Sequence, residues 1–534
     1  MKWLRKMGKK FRVLLVYPNI PGMLVISVAI GLFTTILKKA GFDVDLFDAT
    51  LYTDEKSVSP LKRVEYAQAR KFSYEKDLGI NFNRDLIKAF VSKIESYEPD
   101  LLAISLVEDA FHQCLDLLDS VKDKNIPHII GGVFTTASPD MVISHPQIKR
   151  VCLGEGENTL LEIAQRLRDG KNIDDVSNTW VKKDDDVIIK NPIAPPIDIN
   201  KSVLPDYSLF KDSRFYRPMG GKILRTIPLE MYRGCPYQCT FCCSPMWNKF
   251  YKEQTQSVFA RRKTINRVMK EIEYLVTEYK PELLYIIDDT FLARPQKEIE
   301  EFVHKYKKYS IPFWMNTRPE TITEEKMRLM KEINCYRISI GMECGNEQFR
   351  HEILKRSISN DEFPKRIDIL KKSKIPFSIN NIIGFPGETR ELIFETIELN
   401  RKISGYDAIT VSIFTPYHGS ELRDICISRG FLDQDSYTGH TTESSMLNMP
   451  KLTSEQIDGL MRTFCFYVKF PKKWWNYIQE AERFTKTGNE MFHKLNEIYH
   501  DIYFSKDQDN SSLEEVDWEK LERTILKNEI QINV

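Results

Sequence analysis

The stretch RGCPYQCTFCCSP, residues 233–245, places Cys235, Cys239, Cys242 and Cys243 within nine residues. Four thiols this close can form a disulfide, bind zinc or bind an iron–sulfur cluster. A disulfide needs an oxidising compartment. The chain has ten cysteines in 534 residues, which is no disulfide scaffold, and no signal peptide is expected. Residues 1–12 carry six Lys and Arg, but the apolar run MLVISVAIGLF lies too far in and lacks a cleavage-type end. That run is also too short to span a bilayer. A cytoplasmic chain with reduced thiols is expected.

Zinc usually takes two pairs of Cys or His. The spacing C-x3-C-x2-C offers three ligands in one loop, and no histidine lies between His145 and His304. Neighbouring Cys242 and Cys243 point apart, although Cys335 and Cys344 could complete a site from other strands. A cubane iron–sulfur cluster normally takes four thiolates. Three would leave one iron open to N and O donors.

The elements that must position this loop come in two runs. In the first, FRVLLVYP, DVDLFDA, DLLAISLV, PHIIGGV and VCLGEGE read as strands, with helices between them. A polar, irregular stretch at about 51–82 interrupts. Such alternation predicts a doubly wound parallel sheet, which binds ligands outside the carboxyl ends of its strands. Two glycine turns fall there: Gly131-Gly132, and Gly154-Glu155-Gly156-Glu157 with the helix-capping types Asn158 and Thr159. Residues 176–222 read as a connector, with a hairpin in NTWVKKDDDVIIKNP and a Pro-rich extended part.

From Ile223 the alternation restarts: ILRTIPLEMY, ELLYIID, IPFWMNT, YRISIGM, PFSINNIIG and AITVSIF are strands between charged helices. Six such units suit a parallel barrel, whole or partial, with its chemistry at the carboxyl ends. The cysteine loop follows the first of them. After about 430 the period is helical, and roughly the last 30 residues are polar and expected to be loosely held. The expected division is 1–175, 176–222, 223–430 and 431–534. The net charge of +1 gives no overall footprint for nucleic acid.

C-x3-C-x2-C with aromatic Phe241 before its third cysteine, in the loop after a first barrel strand, resembles the radical S-adenosylmethionine (SAM) superfamily. The resemblance implies a [4Fe-4S] cluster on Cys235, Cys239 and Cys242. SAM would bind the open iron and, on one-electron reduction, yield a 5′-deoxyadenosyl radical. Later stretches match in order. IIDDTF puts Asp288 and Asp289 where the family meets the cofactor's amino group, or at a plain strand-end turn. Arg318 in WMNTRPE would pair with the cofactor carboxylate or with a surface acid. Glu343 in ISIGMECG would take ribose or amino hydrogen bonds, or form a structural pair. Ile382 and Gly384 in NNIIGFPGET would flank the adenine, while Glu388 is shifted from the family pattern and is left unassigned. His418 reads as a turn residue or a substrate contact.

GGVFTTASP followed by VCLGEGENTLLEIAQRL resembles the cobalamin-binding domain that precedes many such barrels. Gly131, Gly132, Thr135, Gly154, Glu155 and Gly156 would then line the corrin and its nucleotide tail. The D-x-H-x-x-G loop of many cobalamin proteins is absent; His112, in VEDAFHQC, reads as a helix residue. A cobalt without a protein histidine is expected. Together these resemblances imply a cobalamin-dependent radical methyltransferase served by an external low-potential electron donor of the flavodoxin or ferredoxin type. The alternatives are a non-methylating cobalamin radical enzyme or a cobalamin or redox sensor. Methylthiotransferases carry further cysteines that this chain lacks. The substrate is not readable: FYVKFPKKWWNYI suits a helix packed on the barrel, or a membrane surface and a lipid.

Overall fold

In this computed structural model the described residues are 10–53, 59–184 and 186–504, with 518, 519 and 523. Most of the basic start and the polar end of the chain lie outside them.

The first sheet holds β1 (Arg12–Tyr17), β2 (Asp43–Asp48), β3 (Leu101–Ser105), β4 (His128–Gly131), β5 (Arg150–Cys152), β6 (Thr179–Lys182) and β7 (Ile188–Lys190). Its order is β2-β1-β3-β4-β5-β6-β7, and the first five strands run parallel. The four central residues of β1 are buried, as a strand covered by helices on both faces requires. The hairpin expected inside the connector is not free linker: β6 and β7 add antiparallel to the β5 edge. An uncovered edge offers unpaired backbone groups, and this hairpin satisfies them.

The second sheet begins with β8 (Tyr216–Met219) and β9 (Lys222–Leu229). A small ribbon of β10 (Tyr232–Arg233) and β11 (Arg261–Arg262) brackets the cysteine loop. The sheet continues with β12 (Leu283–Ile286), β13 (Phe313–Thr317), β14 (Cys335–Glu343), β15 (Phe377–Ile383) and β16 (Ala408–Ile413). The order is β16-β15-β14-β13-β12-β9-β8, parallel except for β8. The edges β8 and β16 do not pair with each other, so this is a curled partial barrel.

The open side is filled from the first domain. The Gln68 side chain accepts a hydrogen bond from Val411 N on β16 at 3.0 Å. Arg63 Nη2 donates to Ser412 Oγ at 2.9 Å. At the other edge the Arg70 side chain lies against Gly221, between β8 and β9. Part of the polar interruption read from the sequence, residues 63–70, thus forms a wall of the barrel. The helix Ser454–Lys469 covers β16 from outside, and Arg401 Nη1 caps its end by donating to the carbonyls of Tyr467, Val468 and Phe470. Phe466, Phe470 and Trp474 are fully buried here, so this aromatic–lysine stretch packs on the barrel. No helix among the described residues is long and apolar enough to cross a membrane.

A buried ionic clamp joins the two domains. Arg233 Nη1 donates to Glu155 at 2.9 Å and to Glu157 at 2.8 Å, while its Nε reaches Glu230 at 3.0 Å. Arg261 also bonds Glu155, and Lys263 pairs with Glu271. A second contact sets Glu108 against the backbone N–H groups of His418 and Thr438, each at 3.0 Å. Breaking a buried pair strands its partners. Arg233→Met is expected to lower stability by about 3–5 kcal/mol, read as a fall in the calorimetric Tm. A loss within about 0.5 kcal/mol, the usual size for a surface substitution, would show that the domains are held elsewhere.

Candidate functional site

The cysteine loop runs from β10 to the helix Ser244–Thr255. Cys235 is buried, Cys239 and Cys242 are half-buried, and all three are free thiols. Arg318 Nη1 donates to Cys239 Sγ at 3.3 Å, and its guanidinium lies over the Tyr237 ring. Ser244 N donates to Cys242 Sγ at 3.4 Å. Burial raises all three thiols, Cys235 to about 11, while the cations Arg356 and Arg318 oppose the rise at Cys239. Donors and cations of this kind favour thiolate. Among the described residues no three His, Cys, Asp or Glu side chains gather at the spacing of a single metal ion. Cys243 turns away, with its Sγ near the His418 carbonyl at 3.6 Å.

The two aspartates after β12 do different work. Asp288 is buried, and its Oδ1 accepts from Met231 N at 2.8 Å and Tyr232 N at 2.9 Å, which holds the entry to the cysteine loop. Burial pushes its carboxyl up to about 7, and its second oxygen has no partner. Asp289 faces outward and accepts from Ser244 Oγ at 3.1 Å, near enough to raise the thiols of Cys235 and Cys242. Arg318 is also held by Glu320, through its Nε at 3.0 Å.

The remaining predicted residues face the barrel cavity or support it. The cavity, about 830 Å³, is lined by Phe241, Glu343 and Ile382 among others. Glu343 sits at the end of β14 with φ +65°, a left-handed conformation, and accepts from Arg356 Nη1 at 2.8 Å. A Cβ on Gly341 would stand 2.1 Å from Glu343 Oε1, so glycine there lets the carboxylate fold in. Gly384 shapes the turn after β15: its N–H donates to Glu388 Oε2 at 2.6 Å, and Phe385 N does so at 3.1 Å. Glu388, unassigned from the sequence, is fully buried, and that burial lifts its carboxyl to about 8.

The glycine turns line a separate cavity of about 250 Å³ at the carboxyl ends of the first sheet. Gly131, Gly132, Gly154, Glu155 and Gly156 all border it. Gly132 has φ +136°, and a Cβ there would stand 2.0 Å from the Leu106 carbonyl, so no other residue fits. Thr135 is not on this wall: it is buried, and its hydroxyl donates to the Cys152 carbonyl at 2.8 Å, tying the two turns together. Glu155 borders the cavity, but its carboxylate belongs to the ionic clamp. The opposite wall comes from the barrel, through Arg233, Trp247 and Phe259. These three were missed in the sequence, where only their closeness to the cysteine loop could have marked them. His112 lies on the helix Phe111–Asp119 against Tyr437, and His418 Nδ1 stands 2.8 Å from Glu108 Oε1.

Residues 229–399 match the Radical SAM superfamily, and residues 64–164 match the B12 binding domain. An uncharacterized methyltransferase of Pyrococcus horikoshii is 26% identical over 395 residues, 72% of this chain and 82% of that protein. The anaerobic magnesium-protoporphyrin IX monomethyl ester cyclase of Rubrivivax gelatinosus is 25% identical over 340 residues, 62% of this chain and 59% of the cyclase. The radical SAM methyltransferase TsrM of Kitasatospora setae, solved with cobalamin and a [4Fe-4S] cluster, superposes with a TM-score of 0.60 at 13% identity, over 92% of this chain and all of that one. The chain thus carries a Radical SAM domain and a B12 binding domain in tandem, in the fold of cobalamin-binding radical SAM enzymes.

Proposed function

We propose that this chain is a cobalamin-dependent radical methyltransferase that acts on an unactivated carbon of a small molecule. The observation that carries this is the meeting of the two half-sites. Arg233, two residues before Cys235, borders the glycine cavity together with Trp247 of the following helix. When bound, SAM on a reduced cluster supplies a hydrogen-abstracting radical, and methylcobalamin supplies the methyl group.

Cys235, Cys239 and Cys242 would hold the cluster. The donors fit, since the Arg318 guanidinium and the Ser244 N–H already point at two of the sulfurs. Asp289 would take the cofactor's ammonium, and Glu343, Ile382 and Phe241 would line its nucleoside. Gly384 sets the turn beneath, and Asp288 keeps the loop entry in place. Gly131, Gly132, Gly154 and Gly156 border the first-sheet cavity, where the tight packing of Gly132 on the Leu106 carbonyl and of Gly154 on the Tyr251 hydroxyl holds the turns that a ligand would meet. The cavity volume suits a nucleotide-sized tail rather than a whole corrin ring. Thr135 braces this wall, and Glu155 joins it to the barrel. A low-potential flavodoxin- or ferredoxin-type protein would deliver the electron. A second reading, ring formation without methylation, draws on the similarity to the cyclase.

The test is anaerobic reconstitution with iron, sulfide and cobalamin, followed by a low-potential reductant and SAM. Both 5′-deoxyadenosine and S-adenosylhomocysteine are expected, and both are lost in Cys239→Ala. Deoxyadenosine without S-adenosylhomocysteine would favour the second reading. The role of Asp288 predicts a pH effect on the unloaded protein. Its folded pKa of about 7 lies above the unfolded value of about 4, so its contribution is complete at low pH and is lost as pH rises between the two. The slope is at most about 1.4 kcal/mol per pH unit. Asp288→Asn keeps the Oδ1 acceptor without titrating, so its urea stability is expected to fall less than wild type over that range. Equal slopes would count against a protonated Asp288.

A further inference from the structure

The charges of the barrel cavity do not balance. Its lining carries Arg63, Arg70, Lys71, Arg217 and Arg337. The carboxylates beside them are Asp77, Glu343 and Asp407. Arg356 engages Glu343, Arg337 engages Asp407, and Asp77 accepts from Ser73 N. Among the described residues, Arg63 and Arg217 make no ion pair.

Arg63 is the more telling of the two. It comes from the first domain, on the segment that closes the open side of the barrel. Its guanidinium donates only to neutral acceptors, Gln68 Oε1 at 3.0 Å and Ser412 Oγ at 2.9 Å. A guanidinium stays charged in a protein, and this one is half-buried in the cavity wall with no carboxylate beside it. Burial lowers its pKa, the direction expected of a cation with no anion beside it. Ser412 is in register with Ile382, so Arg63 stands at the level of the residues that line the nucleoside end of the cavity. Deeper in, Arg217 lies 4.5 Å over the Tyr285 ring, which stacks on Trp314 at 4.1 Å. Arg217 Nη1 is buried without a partner. The cavity thus has an aromatic floor, with an uncompensated cation at each end.

We propose that this cavity binds an anionic small molecule, a carboxylate or a phosphate, and that Arg63 takes its charge. The inference rests on reading the barrel as the substrate chamber of the enzyme proposed above. It assigns part of substrate recognition to the first domain, since the barrel strands do not supply this arginine.

The test is equilibrium binding to the reconstituted holoenzyme with SAM present and no reductant. The probes are two matched pairs: 3-phenylpropanoate against 3-phenylpropanamide, and phenyl phosphate against phenol. Wild type is expected to bind at least one anion about tenfold or more tighter than its neutral counterpart, the size of one charge-assisted hydrogen bond. The anion that wins identifies the charged group. Arg63→Gln is expected to lose the preference. Arg63→Lys, which keeps a cation, is expected to retain part of it, and so separates lost charge from misfolding. Equal binding within each pair, or an unchanged preference in Arg63→Gln, overturns the proposal. So does a matching loss of SAM affinity in Arg63→Gln, which would assign the arginine to the cofactor. No turnover is read, so the outcome is independent of methyl transfer. An enzyme that forms S-adenosylhomocysteine but shows no anion preference refutes this inference alone.

Discussion

The arrangement depends on a charge that cannot be left alone. Arg233 is largely buried between domains and satisfies Glu155, Glu157 and Glu230 at once. Such a cluster is weak evidence for stability in itself, because desolvation offsets most of the attraction. Its value is positional. Glu155 and Glu157 sit at the glycine turn that borders one cavity, and Arg233 opens the loop that carries the three cysteines. Any displacement of one domain against the other would separate buried charges, so the two half-sites share one register.

The barrel shows the same economy. A seven-stranded sheet that stops short of closure exposes two edges, and each edge is a row of unpaired backbone groups. Here one polar segment of the first domain serves both: Gln68 caps β16, and Arg70 packs beside the β8–β9 turn. The closing wall therefore brings side chains into the lumen that belong to neither the strands nor their loops.

Much of this was legible in the sequence. The cysteine spacing, the succession of strands and helices and the glycine turns rest on local rules of period and residue type, and the fold follows them. The site residues were legible as places more than as roles. Asp288 and Asp289 are adjacent and chemically identical, yet one faces in to hold a backbone and the other faces the thiols; residue type cannot separate them. Glu155 and Thr135 stand where a ligand wall was expected, but one is committed to Arg233 and Arg261 and the other to the Cys152 carbonyl. Residues 63–70 fell inside a stretch read only as polar and irregular, because partners such as Val411 and Ser412 lie hundreds of positions away. Glu388 departs from the family pattern, so only the turn it braces reveals its use.

The lateral wall also bears on how the chain assembles. Gln68 and the strand it caps are 343 residues apart. On a growing chain the first domain can collapse around its own sheet long before β16 exists. Its segment 59–72 must then wait, with polar groups in water, for the last barrel strand to arrive. Contacts of such long sequence separation slow folding, because chain entropy is lost before they form. Closure of the barrel is therefore a late event, and it makes the two domains one cooperative unit rather than two beads on a linker.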